Sequence, residues 1–324
     1  MRRVLGASLT GLGAFFLVLA LLLRFVLPSQ VIKWPLNEYQ VTSLTGHNVS
    51  YFNQGLAKVL SGVTARATTT VEGDVAAGSS STAVWNEFTA VQDVTNNAPI
   101  QYVSQRSAFD RRSGLIVDCC GAYVSITNLG ITNGHQSGLA YVWPIGTQPT
   151  TYQMFDPTLR RPAPFRYAGT ATADGMTSYK FVEQVTNQQV AEQTLPGRLV
   201  GLPGQPSVTL PEYLTETNTY WVDPATGAPL NVTENQTLSL EDTTGATKLI
   251  LFKGVLASTP ASVTDVVNKA GSSHLKIELI QDVGPLVAVL LGVILLVVGI
   301  TLTIGRRDDE EFAYETDEPV GSTF

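Results

Sequence analysis

The chain has 324 residues, of which 44% are hydrophobic and only 15% charged. A soluble domain carries about a quarter charged residues, so this composition excludes an ordinary cytosolic enzyme and is too apolar for a disordered chain. The net charge of −7 comes with no basic block and argues against a nucleic-acid partner. Two cysteines exclude a disulfide-stapled scaffold and a multi-cysteine zinc site. His47, His135 and His274 are too dispersed for a histidine metal cluster, and neither a metal nor a cofactor is expected.

In chain order, the first element is an apolar run. From Val4 to Leu23 there are 20 residues without a charge, and Arg24 is followed by Phe25-Val26-Leu27-Pro28. A helix rises about 1.5 Å per residue, so about 20 residues cross a hydrocarbon core. The run is longer than the core of a cleaved signal and lacks a small-residue cleavage site. It reads as an uncleaved anchor over residues 4–27. A second uncharged run of 22 residues, Val283–Ile304, ends at Arg306-Arg307. Basic residues mark the cytoplasmic side of a span. Arg2-Arg3 before the first run and Arg306-Arg307 after the second therefore place residues 1–3 and 305–324 in the cytoplasm of a two-span plasma-membrane protein. Residues 28–282 lie outside, and Arg24 snorkels to the outer interface. Gly6 and Gly13 are seven apart, as are Gly292 and Gly299. Each pair falls on one helix face, where small residues let membrane helices approach.

Charge separates the compartments. Three arginines give residues 1–27 a charge of +3, and two arginines against seven acids give residues 305–324 a charge of −5. The remaining −5 is spread thinly over residues 28–282, too weak to capture a ligand electrostatically. The acidic tail reads as a solvated end.

The outer segment is mainly β, with some helix. Period-two stretches rich in β-formers predict strands at Ala83–Val91, Gln101–Ser104, Ser178–Val185 and Thr217–Val222, and the apolar run Lys248–Phe252 predicts a buried one. A short helix is predicted over Phe52–Leu60. A better one follows Pro260, with Val263, Val266, Val267 and Ala270 at i, i+3, i+4, i+7. Gly73–Thr82 and the Pro-rich 196–211 read as loops. Phe109-Asp110-Arg111-Arg112-Ser113-Gly114 echoes Val222-Asp223-Pro224-Ala225-Thr226-Gly227. In both, Asp bonds the backbone two residues on and Gly supplies φ > 0, so each predicts a hairpin. One acid per loop is too few for calcium. The whole predicts one large antiparallel β domain, a barrel or sandwich with short helices, between N- and C-terminal transmembrane helices.

Catalytic motifs are scarce. Gly134-His135-Gln136-Ser137-Gly138 has Ser out of register with a nucleophile elbow, and no P-loop, HExxH or dinucleotide fingerprint appears. Adjacent Cys119 and Cys120 admit a vicinal disulfide, bridges to a partner, or reduced small buried residues. The first is favoured in an oxidising compartment. Sequons stand at Asn48, Asn231 and Asn235. The segment Trp143-Pro144-Ile145-Gly146 to Tyr152, Phe155-Asp156 and Arg160-Arg161 combines aromatics with charge. Tyr152, Asp156, Arg160 and Arg161 are candidates to receive a sugar or an anionic headgroup. The competing reading has the aromatics plugging the core and the arginines pairing with Asp156.

Trp143-Pro144-Ile145-Gly146, Tyr152, Phe155-Asp156, Tyr213-x-x-Glu216 and Tyr220-Trp221-Val222-Asp223-Pro224-x-x-Gly227 carry a family resemblance. With the end-to-end plan, they resemble an actinobacterial two-span envelope family of unsettled chemistry, labelled PorA-like porin. The topology also looks like that of CD36-type lipid receptors, an analogy at the level of architecture. The resemblance implies an envelope setting and a connection with lipid or lipoglycan assembly, and it supplies no catalytic residues. The porin label sits awkwardly with helical spans, since a membrane barrel crosses with strands. The expected function is a non-enzymatic envelope protein that binds or transfers a lipid or lipid-linked glycan. The alternative is a scaffold or accessory subunit of an envelope glycosyltransferase or transporter, with envelope biosynthesis proteins as partners.

Overall fold

A computed structural model describes residues 2–127, 130–132 and 134–304. The acidic tail 305–324, with Arg306 and Arg307, lies outside the described residues, as do the side chains of Arg2 and Arg3. The described residues form two compact units, residues 33–274 and a helical unit of residues 2–32 with 275–304.

The helical unit contains α1 (Arg2–Leu21), a π-turn (Leu22–Val26) and the short α2 (Leu27–Val31). The larger unit contributes twelve strands and most of α3. The strands are β1 (Tyr39–Asn53), β2 (Lys58–Gly73), β3 (Thr82–Asp93), β4 (Ala98–Asp110), β5 (Tyr123–Ile126) and β6 (Gly130–Thr132). They continue as β7 (Tyr152–Asp156), β8 (Arg161–Ala173), β9 (Met176–Leu195), β10 (Val208–Val222), β11 (Pro229–Glu241) and β12 (Thr247–Ser258). Helix α3 (Pro260–Glu278) is followed by a second π-turn (Leu279–Val283) and α4 (Gly284–Ile304).

All twelve strands join one antiparallel sheet in the order β6-β5-β4-β3-β2-β1-β12-β11-β10-β9-β8-β7, curled into a half-barrel. The curl is visible in the packing. Val63, Ala67 and Val91 of β2 and β3 share a core cluster with Val185 and Leu214 of β9 and β10, across the hollow rather than along the sheet. Alternation sets which face does this. On β10, Leu210, Leu214 and Val222 are buried, while Thr215 is exposed and Thr217 and Thr219 are half-buried. The inner face of this strand also carries the buried Glu212, Glu216 and Asn218, and the outer face carries Thr209, Thr215, Thr217 and Thr219. The edges β6 and β7 do not pair with each other among the described residues. Leu139 of the intervening loop bridges to both Leu115 and Met154.

The expected helix over Phe52–Leu60 is instead the hairpin between β1 and β2. Asn53 faces Lys58 in register, Asn53 Oδ1 accepts the Leu56 N–H at 2.9 Å, and Ala57 turns the chain at φ 49°. The Pro-rich loop ends sooner than expected, because residues 208–211 already pair with β9. Helix α3 presents the predicted face, with Val263, Val266, Val267 and Ala270 packed against Ala173 and Leu230. The Asp223 phrase joins β10 to β11. The Asp110 phrase turns back only as far as a bridge between Phe109 and Ile116.

In the helical unit α1 packs on α4 through the paired glycines. A Cβ at Gly13 would stand 2.8 Å from the Gly292 carbonyl oxygen, and one at Gly299 would stand 2.8 Å from that of Gly6. Arg24 Nη1 donates to Asp282 Oδ1 and to the Gln281 carbonyl, each at 2.7 Å. Gly13→Leu is therefore expected to cost about 1–3 kcal/mol by forcing the helices apart. Gly11→Leu is the control, because a Cβ there meets nothing within 4 Å. Equal thermal midpoints for the two variants in detergent would show that the glycine contact does not hold the pair together.

Candidate functional site

The inner face is not uniformly apolar. One end of the hollow is filled by the aliphatic cluster around Val49, Leu214 and Phe252. The other is filled by aromatics: Trp143, Phe165 and Phe181, with Tyr152, Tyr167, Tyr179 and Tyr220 packed against them. Between the two runs a belt of carboxylates. On β9 the inward sequence is Phe181, Glu183, Val185. On β10 it is Leu214, Glu216, Asn218, Tyr220. Cross-strand register aligns Glu234 of β11, Asn218 of β10 and Glu183 of β9 in one row. Asp156, the last residue of β7, joins them, so that one carboxylate oxygen from each of Asp156, Glu183 and Glu216 lies within 4.8 Å of the others. Glu87 of β3 completes the belt from the opposite wall. In a flat sheet its four-strand separation from β11 would be about 19 Å, yet Glu87 feels the charge of Glu234.

Burial dominates the electrostatics. Glu183 and Glu216 are only 1% and 6% exposed. Burial, reinforced by the charge of Asp156, pushes Glu183 up to about 7. Burial and then Asp156 do the same to Glu234, and burial and then Glu234 to Glu87. Glu216 is raised further by burial and by Asp156, to which it hydrogen-bonds. Asn218 Nδ2 donates to Glu183 Oε2 at 2.8 Å, and Asp156 Oδ1 accepts the Leu159 N–H at 2.6 Å.

A raised folded-state pKa fixes the sign of the pH dependence. The folded protein holds the Glu183 proton more tightly than the unfolded chain, whose value is near 4.5. The resulting stability is fully present below about pH 4.5 and is lost as pH rises through about 7. In chelator, the thermal midpoint is expected to fall from pH 5 to pH 8, with Glu183 contributing up to roughly 3 kcal/mol. Glu183→Gln should flatten that slope. A slope unaltered in the variant would mean that other groups carry it.

The sequence candidates separate. Tyr152 lies in the aromatic wall, edge-on to Phe181 at 5.7 Å, and its hydroxyl accepts the Gln148 N–H. Asp156 is in the belt. Arg161 faces Asp156 in register but is exposed and donates to Gln188 Oε1 at 3.0 Å. Arg160 occupies a left-handed turn position, φ 56°. Cys119 and Cys120 are bonded to each other, and Arg106 Nε donates to the Cys120 carbonyl. Of the histidines considered for hydrolysis, His135 faces Asp118 at the surface, while Ser137 is exposed. His274 faces Asp223, but the nearby Thr226 hydroxyl already donates to that carboxylate. Glu183, Glu216, Asn218, Glu234 and Glu87 were not among the candidates. Their signal was present, since Phe181-x-Glu183-x-Val185 places a carboxylate on a face otherwise apolar.

The family model described as Porin PorA matches residues 5–301, nearly the whole chain. The chain belongs to the Porin PorA family. With two helices apolar enough to cross a membrane, membership fits an envelope membrane protein. No curated protein matches the chain.

Proposed function

We propose that the protein is a two-span envelope membrane protein, both termini cytoplasmic, whose extracytoplasmic half-barrel binds or hands over a lipid or lipid-linked glycan. The observation that carries this reading is the inner wall of half-buried tyrosines beside a belt of carboxylates. Aromatic surface with a few converging polar groups is the usual lining of a ligand site, and rings beside carboxylates suit the apolar and hydroxyl faces of a sugar. Tyr152, packed on the aromatic wall, and the exposed Arg161 are the residues assigned here to the headgroup. The basic pairs flanking the two apolar helices support the orientation. A pore through this sheet is disfavoured, because a membrane barrel turns apolar residues outward and here they turn inward. The accessory-subunit reading draws less support, since the glycine faces of α1 and α4 are spent on each other.

The test is native mass spectrometry of the full chain in mild detergent, followed by lipid extraction. A stoichiometric lipid or lipid-linked glycan, lost in Tyr152→Ala, is the expected result. A bare chain, or one that travels with a membrane enzyme, would overturn the reading in favour of none or of the accessory role.

A further inference from the structure

Most buried acids in this protein are fully answered. Asp93 accepts from the Tyr51 hydroxyl, the Thr95 and Asn96 N–H groups and Asn96 Nδ2. Although burial alone would raise it, these bonds hold it below the ordinary carboxylate range. Asp223 is satisfied by its own turn, and Glu212 takes a hydrogen bond from Gln193 at 2.6 Å. The belt differs. Glu183 Oε1, Glu216 Oε1 and Asn218 Oδ1 are buried with no hydrogen-bond partner. Asn218 is itself 9% exposed and is bonded through its other amide atom to Glu183. A buried acceptor left without a donor costs about 1–3 kcal/mol, and three in one place mark a position where something electropositive is missing from the account.

We propose that Asp156, Glu183 and Glu216, with the Asn218 amide oxygen, bind a hard divalent cation. All the donors are oxygen, the set that selects calcium, magnesium or manganese over zinc or copper. The three carboxylate oxygens all lie within 4.8 Å of one another, the reach of two oxygen–calcium bonds of about 2.4 Å. The cation neutralises acids that otherwise repel one another in a low dielectric, and it draws the end of β7 and the turn after Asp156 onto β9 and β10. Arg161 donates to Gln188, and its charge acts on Asp156 alone among the three carboxylates.

The experiment uses the full chain in detergent, stripped with chelator. Addition of Ca2+ up to about 1 mM, a range suited to extracellular sites, is expected to raise the thermal midpoint by several degrees. Tb3+ is expected to give saturable luminescence excited through the tyrosines, reversed by Ca2+. Asp156→Asn and Glu183→Gln should each weaken both effects at least tenfold, while in chelator both variants melt no lower than the wild type. A wild type without a calcium shift overturns the site. So does binding unchanged in both variants, which would assign the ion to the acidic tail.

Discussion

Trp143→Ala should lower the stability of the β unit by about 3–5 kcal/mol, the range for a large aromatic removed from a packed core. Trp143 is 0% exposed, lies nearly parallel to Phe181 at 5.5 Å, and meets Phe165 edge-on and Tyr220 at a tilt. Its backbone matters as much as its ring. The Trp143 N–H donates to the Gly227 carbonyl, Ile145 to that of Arg112, and Gly146 to that of Ala225. The four residues Trp143–Gly146 thus lace together the two turns opened by Asp110 and Asp223. Gly227 permits this, since its φ is 77° and a Cβ there would stand 2.3 Å from the Trp143 carbonyl oxygen. Denaturant unfolding in detergent measures the loss. Tyr152→Phe, which removes only a hydroxyl acceptor, serves as the mild comparison, at about 1 kcal/mol. A Trp143→Ala loss no larger than that would mean the aromatic cluster is not the main support of this end of the hollow.

Asp223→Ala is expected to cost about 3 kcal/mol, and more than Asp110→Ala. The two aspartates open nearly the same phrase, and both accept from the backbone and hydroxyl of the residue three positions on. They differ in burial. Asp223 is 0% exposed, while Asp110 is half-buried. Water replaces a lost acceptor at the surface, whereas a buried donor left unsatisfied costs its full desolvation. Asp223 also faces His274 at 3.3 Å, so its loss loosens α3 as well as the turn. Equal losses in the two variants would show that burial does not set the difference.

Strands were legible wherever one face was apolar and the other polar, as at Ala83–Val91 and Ser178–Val185. Helix α3 was legible because its four apolar residues keep the 3.6 period. The turns were readable from Asp and Gly chemistry, but not how far each hairpin would run, because that depends on which strand arrives beside it. Phe52–Leu60 misled because the residue that takes positive φ in this tight turn is Ala57, while Gly55 beside it does not. The carboxylate belt was the largest omission. Period-two reasoning treats a polar residue as outward, and Glu183 and Glu216 lie on the inward register. Seeing them together also required the curl, which brings β3 opposite β11 and the end of β7 onto β9 and β10. Glu216 did appear within the Tyr213-x-x-Glu216 motif, though with no role attached.

The pairing of β1 with β12 has a consequence for how the chain matures. Of the eleven neighbouring pairs in this sheet, the other ten link strands consecutive in sequence, whereas Thr45 must wait for Ala257. During synthesis the first six strands can assemble as local hairpins, but their central seam stays open until nearly the whole β unit has been made. Long-range pairing of this kind is slow, and an unpaired β1 edge is sticky in the interval. The last strand is followed at once by α3 and the second apolar helix, so closure of the seam and delivery of that helix to the membrane fall late and close together. A chain halted before residue 247 would leave a half-sheet with its middle exposed, a natural substrate for quality-control proteases.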